Sequence, residues 1–209
     1  MTMQSDYTKL NKFLTVDTAS AHLTVLAANG QKRALRYIKD CALRHSVLLM
    51  DEVDAAMDEV SLSVKDCDFF CAVTGPGSFT GIRIGISAVK AFSLAAAKPL
   101  MPLTSFELVA YNVNSDDFLT VVDAAHGHLY CCAFKGGEMG APEYLSVDEV
   151  ISRGLPVYGF QPLDLPRYTM LDAGECLAPA IERKLTLSEP FGEMHALYAR
   201  KSQAEEGRK

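Results

Sequence analysis

The sequence predicts an α/β protein built of two related halves. The first half shows three strand patterns joined by short polar turns, then a helix, a strand and a second helix, and a weaker copy of this order begins near residue 117. The 209 residues are 49% hydrophobic and 22% charged, a composition with enough apolar side chain to offset the entropy of ordering a globular chain. We place the boundary between the halves within residues 104–117.

The three opening strands are predicted from runs of aliphatic and β-branched residues. Residues 13–16 and 22–28 form a hairpin around the polar turn Asp17-Thr18-Ala19-Ser20. Asn29-Gly30 is a two-residue turn signal that leads to a third strand at residues 33–38.

A helix over residues 46–60 follows, with Ser46 in position to cap its first turn. Its apolar residues recur at helical spacing; they are Leu49, Val53, Met57 and Val60. Phe69–Val73 is a continuous apolar run typical of a buried strand, and a glycine-rich turn separates it from a helix over residues 80–96.

The second half repeats this order less clearly. We predict strands at residues 119–123, 129–134 and around 144–145, a short helix at 147–153, a strand at 155–160 and a helix at 175–185. Ser146 and Glu149 have the spacing of a capping box for the short helix.

Charge and the chain ends argue against several classes of function. The formal net charge is −6, which disfavours stand-alone nucleic-acid binding because contacts to phosphates dominate that affinity. Residues 1–12 lack the apolar stretch of a secretory signal and are interpreted as a leader. No run reaches the roughly 20 apolar residues of a membrane span, so we expect a cytoplasmic chain whose six cysteines are reduced thiols.

The turn Gly75-Pro76-Gly77-Ser78 lies between the buried strand and the second helix. Such a turn can hold an anion, since free N–H groups and the positive end of the helix dipole point at the ligand. It has neither the Walker A nor the dinucleotide-loop spacing, so a phosphate-binding loop and a purely structural turn both remain open.

The second helix combines a bulky apolar face with a face of small residues. The small face includes Gly81, Gly85 and Ala88, followed by Phe92. Because one face suffices to cover its own sheet, we predict that the small face contacts another chain, with the acidic helix 46–60 beside it. Burial of both faces within one domain is the alternative.

The residues do not form a recognisable active site. There is no Gly-x-Ser-x-Gly elbow, and His126 and His128 lack a third metal ligand at a familiar spacing. We therefore assign no catalytic residue and no metal ligand.

A resemblance to a known family extends over about residues 13–204. Residues 72–97, which contain Gly75-Pro76-Gly77-Ser78-Phe79-Thr80-Gly81-Ile82-Arg83-Ile84-Gly85, closely resemble the signature of the TsaB family, formerly YeaZ. Shorter matches are Val16-Asp17-Thr18, His45-Ser46, Val122-Asp123-Ala124, and Leu197-Tyr198 with Arg200. The resemblance implies an actin-like, Hsp70-like ASKHA fold of two βββαβα lobes, the second one shortened.

The resemblance also divides the chain. Residues 1–12 are the leader and residues 13–104 the first lobe, which carries the partner-binding helices. Residues 105–192 form the smaller second lobe, and residues 193–209 are expected to return to the first lobe and end in a polar tail.

A non-catalytic subunit is the function that the family implies. The related subunit TsaD carries the metal and transfers a threonylcarbamoyl group to N6 of adenosine-37 in tRNAs that read ANN codons, and this chain is expected to bind and activate it. ATP or ADP and metal are expected on TsaD and the further partner TsaE, with no cofactor on this chain. Contacts to tRNA are expected mainly through the partners, and a homodimer is expected when the partner is absent.

Pairing in the family uses the two helices of the first lobe. This assigns the interface to His45, Leu49, Val53 and Met57 on the first helix and to Gly81, Gly85, Ala88 and Phe92 on the second. A vestigial phosphate-binding site is assigned to Asp17, Thr18, Gly75, Gly77, Ser78 and Asp123.

The alternative is a small nucleotide-binding enzyme of the same fold that uses Asp17, the glycine turn and Asp123 for phosphotransfer or hydrolysis. A metallopeptidase is a further alternative. Many relatives carry Asp-Ala-Arg at the second turn, where this chain has Asp123-Ala124-Ala125-His126, so any role of that arginine is open here.

Overall fold

The computed structural model describes residues 7–198, which form two five-stranded sheets. The first sheet consists of β1 (Lys12–Asp17), β2 (Leu23–Asn29), β3 (Lys32–Ile38), β4 (Phe69–Val73) and β5 (Leu100–Leu103). β1 to β3 are antiparallel neighbours, β4 joins β1 in parallel and β5 joins β4 in parallel, so the order is β3-β2-β1-β4-β5. The predicted hairpin, third strand and buried strand are confirmed.

Strand β5 is absent from the sequence-based prediction because Pro102 lies inside it. Proline cannot donate a hydrogen bond to a neighbouring strand, but it is tolerated in an edge strand. β5 is the last strand of its sheet, so the missing N–H costs no interstrand hydrogen bond.

Two long helices cover one face of this sheet. They are α1 (His45–Glu59) and α2 (Phe79–Ala96). α1 packs on β2 and β3, α2 packs on β4, β1 and β5, and the two helices touch each other. Both helices are confirmed, but the cap predicted at Ser46 is wrong, because α1 begins one residue earlier and no side chain caps it.

The second sheet repeats the strand order of the first. It consists of β6 (Asp117–Asp123), β7 (His128–Lys135), β8 (Glu138–Ser146), β9 (Val157–Gly159) and β10 (Tyr168–Met170). β6 to β8 are antiparallel, β9 joins β6 in parallel and β10 joins β9 in parallel. The predicted duplication is confirmed, although β10 and most of β8 carry too little apolar pattern to be predicted.

The second lobe is shortened in its helices rather than in its sheet. The connection from β8 to β9 holds only α4 (Val147–Ser152), and the connection from β9 to β10 contains no helix among the described residues. The predicted capping box of α4 is present, with Ser146 Oγ accepting from the Glu149 N–H and the Glu149 carboxylate accepting from the Ser146 N–H.

Two further helices cross between the lobes. They are α3 (Ser105–Ala110), which follows β5, and α5 (Ala173–Leu185), which follows β10. α3 packs on β6, β7 and β9 of the second sheet, whereas α5 packs on β2 and on α3. The apolar side of α5 lies in the core of the first lobe; its buried residues there are Cys176, Leu177, Ala180, Ile181 and Leu185. A division at residue 105 therefore keeps α3 with the sheet that it covers, but it separates α5 from the first lobe.

The segment after α5 runs along the first lobe. The ring of Phe191 contacts the rings of Tyr7 and Phe69, and the Leu197 N–H donates to the Thr74 carbonyl over 2.8 Å. Most of the expected leader, the polar tail and Arg200 of the family match lie outside the described residues.

Candidate functional site

The turn between β4 and α2 is packed too tightly for any residue but glycine at two positions. Gly75 has a φ of +98°, and a Cβ atom there would lie 2.6 Å from the Ile82 Cδ1 atom. A Cβ atom on Gly77 would overlap the carbonyl oxygen of Ala19. The Ser78 N–H donates to that same oxygen over 2.7 Å, so this turn is bonded directly to the β1–β2 turn.

The first turn of α2 also contacts the β1–β2 turn. Thr18 Oγ1 donates to the Gly81 carbonyl over 2.6 Å, and a Cβ atom on Gly81 would overlap the Thr18 carbonyl oxygen. A Cβ atom on Gly85 would lie 2.5 Å from Thr18 Oγ1. The small size of these two glycines lets α2 approach the β1–β2 turn of its own lobe, which is the alternative of burial within one domain. Their predicted contact with another chain stays a prediction.

The other predicted interface residues also face inward. His45, Leu49, Val53 and Met57 are buried between α1 and its own sheet. Ala88 and Phe92 are half-buried, and the Phe92 ring stacks on Phe70 of β4. The physical reason is general: helical spacing identifies an apolar stripe, and in this lobe that stripe covers the protein's own sheet.

The exposed surface of α1 and α2 carries a different apolar set. Leu43, Leu94 and Val47 are 99%, 84% and 69% exposed, the highest values among the large hydrophobic residues described. We define the helix face as six exposed residues that follow helical spacing, i, i+4 and i+7, in two segments. They are Leu43, Val47 and Met50, in α1 and just before it, and Ser87, Ala91 and Leu94 in α2.

Helix α2 meets the length and composition requirements of a membrane span, with 18 residues and a mean hydropathy of 1.3. It also connects the adjacent parallel strands β4 and β5 and packs on them through Ile82, Ile86 and Val89. The high hydropathy of α2 therefore has two sources: apolar residues that pack on the sheet, and exposed apolar residues that belong to the helix face.

A cleft lies where the two lobes meet. Its volume is about 310 Å³, and its lining includes Gly77, Ser78 and Asp123 together with Ser20, His22 and Gln161. The structure thus brings together three of the six residues predicted for phosphate binding. Thr18 is directed into α2 instead, and Asp17 lines a much smaller neighbouring void.

The two aspartates of the predicted phosphate site form matching turns in different surroundings. Asp17 Oδ1 accepts from the Ala19 N–H over 2.8 Å, and Asp123 Oδ1 accepts from the Ala125 N–H over 2.9 Å. Asp17 is 7% exposed whereas Asp123 is exposed. Burial raises the pKa of Asp17 to about 6, against the lowering effect of the Ala19 N–H.

The electrostatics of the cleft do not favour a phosphate. The Ser78 N–H is already used by Ala19, and the Gly81 N–H donates to Ser78 Oγ over 3.2 Å. Neither lysine nor arginine lines the cleft, while Asp123 does. No group of three or more His, Cys, Asp or Glu within residues 7–198 is arranged to hold a metal ion.

Comparison with known proteins identifies the family. The family model described as TsaD, tRNA N6-adenosine threonylcarbamoyltransferase, matches residues 39–157, more than half of the chain. The chain belongs to the TsaD family. Similar proteins named TsaB are found in several bacteria.

Two relatives show the extent of this similarity. The tRNA threonylcarbamoyladenosine biosynthesis protein TsaB of Bacillus subtilis is 28% identical over 119 residues, which are 56% of this chain and 52% of the relative. The protein of the same name from Escherichia coli is 26% identical over 134 residues, 62% of this chain and 57% of the relative. In these matches the chain spans little more than half the length of its TsaB relatives.

Solved structures show the TsaB-type fold over nearly the whole chain. A Pseudomonas aeruginosa protein described as similar to peptidase YEAZ superposes with a TM-score of 0.71 at 18% identity, covering 91% of this chain and 100% of that protein. YeaZ from P. aeruginosa superposes with a TM-score of 0.63 at 20% identity, covering 81% and 90%. The fold is the actin-like ASKHA fold, with two related lobes and a shortened second lobe.

Proposed function

We propose that this protein is a non-catalytic subunit that binds and activates a TsaD subunit for transfer of the threonylcarbamoyl group to N6 of adenosine-37 in tRNAs reading ANN codons. The helix face is the observation that carries the proposal, because it contains the three most exposed large hydrophobic residues described. The relatives named as threonylcarbamoyladenosine biosynthesis proteins supply the pathway.

The helix face has the energetics of a protein-binding surface. Burying an exposed Leu, Val or Met side chain contributes roughly 1.5–3 kcal/mol. Leu43, Val47, Met50 and Leu94 all retain much of this surface in the isolated chain. Several strongly exposed apolar side chains on the helices of one lobe are the feature expected of an interaction site.

The cleft supports a non-catalytic role for this chain. The N–H groups of Ser78 and Gly81 are used in hydrogen bonds within the lobe, and Asp123 contributes negative charge where a nucleotide would need positive charge. Under this proposal ATP or ADP and metal act on TsaD and TsaE, tRNA is bound mainly by those partners, and the complex works in the cytoplasm.

Reconstitution tests the proposal. TsaD, TsaE, threonylcarbamoyl-adenylate and tRNA are combined with and without this chain, and modified adenosine is quantified by mass spectrometry. We expect the product to depend on this chain and to be lost with Leu94→Lys. Met170→Lys, a change of an exposed residue on β10, serves as the matched control and should retain activity. An equal yield without the chain would refute the proposal.

The nucleotide-binding alternative rests on the meeting of Gly77, Ser78 and Asp123 in one cleft. Titration calorimetry of the isolated chain with ATP and Mg²⁺ separates the two hypotheses. Millimolar or tighter binding that is lost in Asp123→Asn would favour the enzyme, whereas no heat at millimolar nucleotide favours the subunit.

A further inference from the structure

Three side chains from two separate segments form an exposed cluster at the start of α2. The Arg83 guanidinium lies 3.8 Å from the centroid of the Phe79 ring, and its Nε donates to the Tyr198 hydroxyl over 2.8 Å. The Phe79 and Tyr198 rings contact each other, with their centroids 5.1 Å apart. We call Phe79, Arg83 and Tyr198 the arginine cluster.

The backbone holds each member of the arginine cluster in place. Phe79 and Arg83 are four residues apart in α2, the spacing at which side chains of one helix meet. Tyr198 follows Leu197, whose N–H donates over 2.8 Å to the carbonyl of Thr74, the residue after β4. The orientation of the guanidinium is therefore set within the chain.

The charge of Arg83 has no counter-ion within residues 7–198. Arg83 is exposed, and no carboxylate in that part of the chain forms an ion pair with it. The hydrogen bond to Tyr198 uses Nε, which leaves the N–H groups of both Nη atoms for an external acceptor. Phe79 and Tyr198 are also exposed, so an incoming group can reach the cluster from solvent.

The arginine cluster adjoins the part of the helix face that lies on α2. Ser87 and Leu94 follow Arg83 at i+4 and i+11, so these three residues share one side of the helix. Arginine and tyrosine are enriched among the residues that contribute most to protein–protein affinity. An exposed leucine on the same side as an oriented guanidinium therefore has the composition of a protein-binding site.

The other charges of the two helices favour a protein carboxylate over RNA as the acceptor. Arg44 and Lys90 are exposed basic residues, but α1 also exposes Asp51, Asp54 and Asp58. RNA affinity depends on contacts to many phosphates, and the chain has a net charge of −6. A single guanidinium matches one carboxylate, which accepts two parallel N–H···O bonds from it.

We infer that the arginine cluster binds an acidic side chain of the partner protein through Arg83, with Tyr198 as a positioning residue. The inference rests on the proposed function, under which the partner is the TsaD subunit, and it specifies a group that TsaD must present. Orienting the arginine in advance lowers the entropy cost of immobilising it on binding. The segment after α5 thus contributes to partner binding through Tyr198.

A neutral substitution tests the role of Arg83. Arg83→Gln removes the charge and keeps a good helix former, and Lys135→Gln, at an exposed position of β7, makes the same change in net charge. By surface plasmon resonance we expect the Kd for TsaD to rise about 10–100-fold in Arg83→Gln, and to stay within about twofold in Lys135→Gln. Arg83→Lys should lose about 3–10-fold, because lysine restores the charge but not the planar pair of donors.

Tyr198→Phe tests the positioning role, because it keeps the ring and removes the acceptor of the Nε hydrogen bond. We expect the Kd to rise about threefold and the unfolding temperature to stay close to that of the wild type. The double variant with Arg83→Gln should bind no more weakly than Arg83→Gln alone, since the hydroxyl acts through Arg83. A purely structural hydroxyl would add its own loss to the double variant.

Charge exchange tests the acidic partner group directly. Arg83→Glu is combined with TsaD variants in which exposed Asp and Glu residues are changed to Lys one at a time. One combination should recover binding that Arg83→Glu loses with wild-type TsaD. Recovery with none of them would overturn the carboxylate assignment.

The remaining outcomes separate this inference from its competitors. Equal TsaD affinity in Arg83→Gln and Lys135→Gln would overturn it. Loss of tRNA binding in Arg83→Gln, measured by fluorescence anisotropy, together with unchanged TsaD affinity would assign the cluster to RNA instead. A TsaD complex that is lost in Leu94→Lys but intact in Arg83→Gln would remove this inference alone, whereas absence of any wild-type complex with TsaD would refute the proposed function.

Discussion

The first lobe links its strands through α1 and α2, of 15 and 18 residues, whereas the second lobe uses the six-residue α4 and a loop at the same two places. Both sheets nevertheless have five strands in the same order. The helices that carry exposed apolar residues are thus full-length, while their counterparts are reduced. This difference indicates that α1 and α2 serve more than the packing of their own sheet.

The β1–β2 turn of the first lobe and the β6–β7 turn of the second lobe also differ in how far they are covered. Asp17 and Asp123 each accept a backbone N–H from the second residue after them, but only Asp17 is buried. Thr18 behind Asp17 contacts Gly81 and Gly85 of α2, and Ala19 contacts Gly77 in the turn before α2. The second lobe has no helix at the position of α2 among the described residues. The loss of the second long helix leaves its turn exposed.

The largest effect is expected at the joint between the lobes. Lys184 of α5 donates to Glu107 of α3 over 2.7 Å, and both side chains are largely buried. Lys184→Met leaves the Glu107 charge without its partner, so we expect a loss of about 3–5 kcal/mol in the free energy of unfolding. Arg153→Met breaks the exposed pair with Glu143 in the second lobe and should cost less than about 1 kcal/mol. Equal losses in urea denaturation would contradict this.

The pH dependence of that joint follows from the same pair. Burial by itself raises the pKa of Glu107, but Lys184 and Thr104 outweigh it and hold that pKa below its usual value. The stability that Glu107 contributes is therefore present above about pH 4.5, the range of an unfolded glutamate, and is lost as the pH falls through the folded pKa.

The next largest loss of stability is expected at Gly81 of α2. Gly81→Ala forces a Cβ atom into the Thr18 carbonyl, which outweighs the roughly 1 kcal/mol gained in helix propensity. We expect a net loss of about 3 kcal/mol in thermal unfolding. Gly192→Ala meets no atom within 4 Å and is the control. A Gly81 variant as stable as the control would show that the β1–β2 turn can move away from α2.

Asparagine substitution compares the two aspartate turns directly. Because the folded pKa of Asp17 is about 6, above the unfolded value of about 3.9, the wild type loses stability as the pH rises through this window. We expect Asp17→Asn to gain about 2 kcal/mol at pH 7.5 and almost nothing at pH 4. Asp123→Asn should stay within about 0.5 kcal/mol at both values. A gain for Asp17→Asn at pH 4 would contradict the titration argument.

The smallest effect compares exposed apolar residues on α1 and α4. Val47→Lys should raise the Kd for the TsaD subunit about 10–30-fold, which corresponds to roughly 1.4–2 kcal/mol of lost apolar burial. Ile151→Lys on α4, where Ile151 is 42% exposed, should leave the Kd unchanged. Both variants should unfold at the wild-type temperature. A comparable loss of affinity in both would place the interface outside the helix face.

Sequence patterns were sufficient for the strands and helices with strong periodicity. The first hairpin, β4, α1, α2 and the capping box of α4 follow from residues close together in the chain. The capping box of α3, formed by Thr104 and Glu107, was a signal of the same kind and could have revealed that helix. β5 and β10 could not be predicted, because a proline and a three-residue length obscure strand patterns that depend on a neighbouring strand.

The residues of the candidate site were harder to predict. Helical spacing identified Leu49, Val53, Met57 and Val60 correctly as one stripe, but it contained no information about which surface covers that stripe. The glycine motif was correctly recognised as a family feature, yet its contact with Thr18 joins residues more than 60 positions apart. Leu43, Val47 and Leu94 look like isolated apolar residues in the sequence, and only the fold shows that all three stay exposed.

The sequence by itself determined the duplicated strand order, the lengths of α1 and α2 and the family, because each depends on local spacing or on a contiguous motif. Only the tertiary structure decided which helix faces are buried, which aspartate is desolvated and which lobe each of α3 and α5 covers. The physical reason is that burial and pKa depend on distant segments of chain brought together by packing, and Asp17 and Asp123 show this most directly: the same local turn has different surroundings.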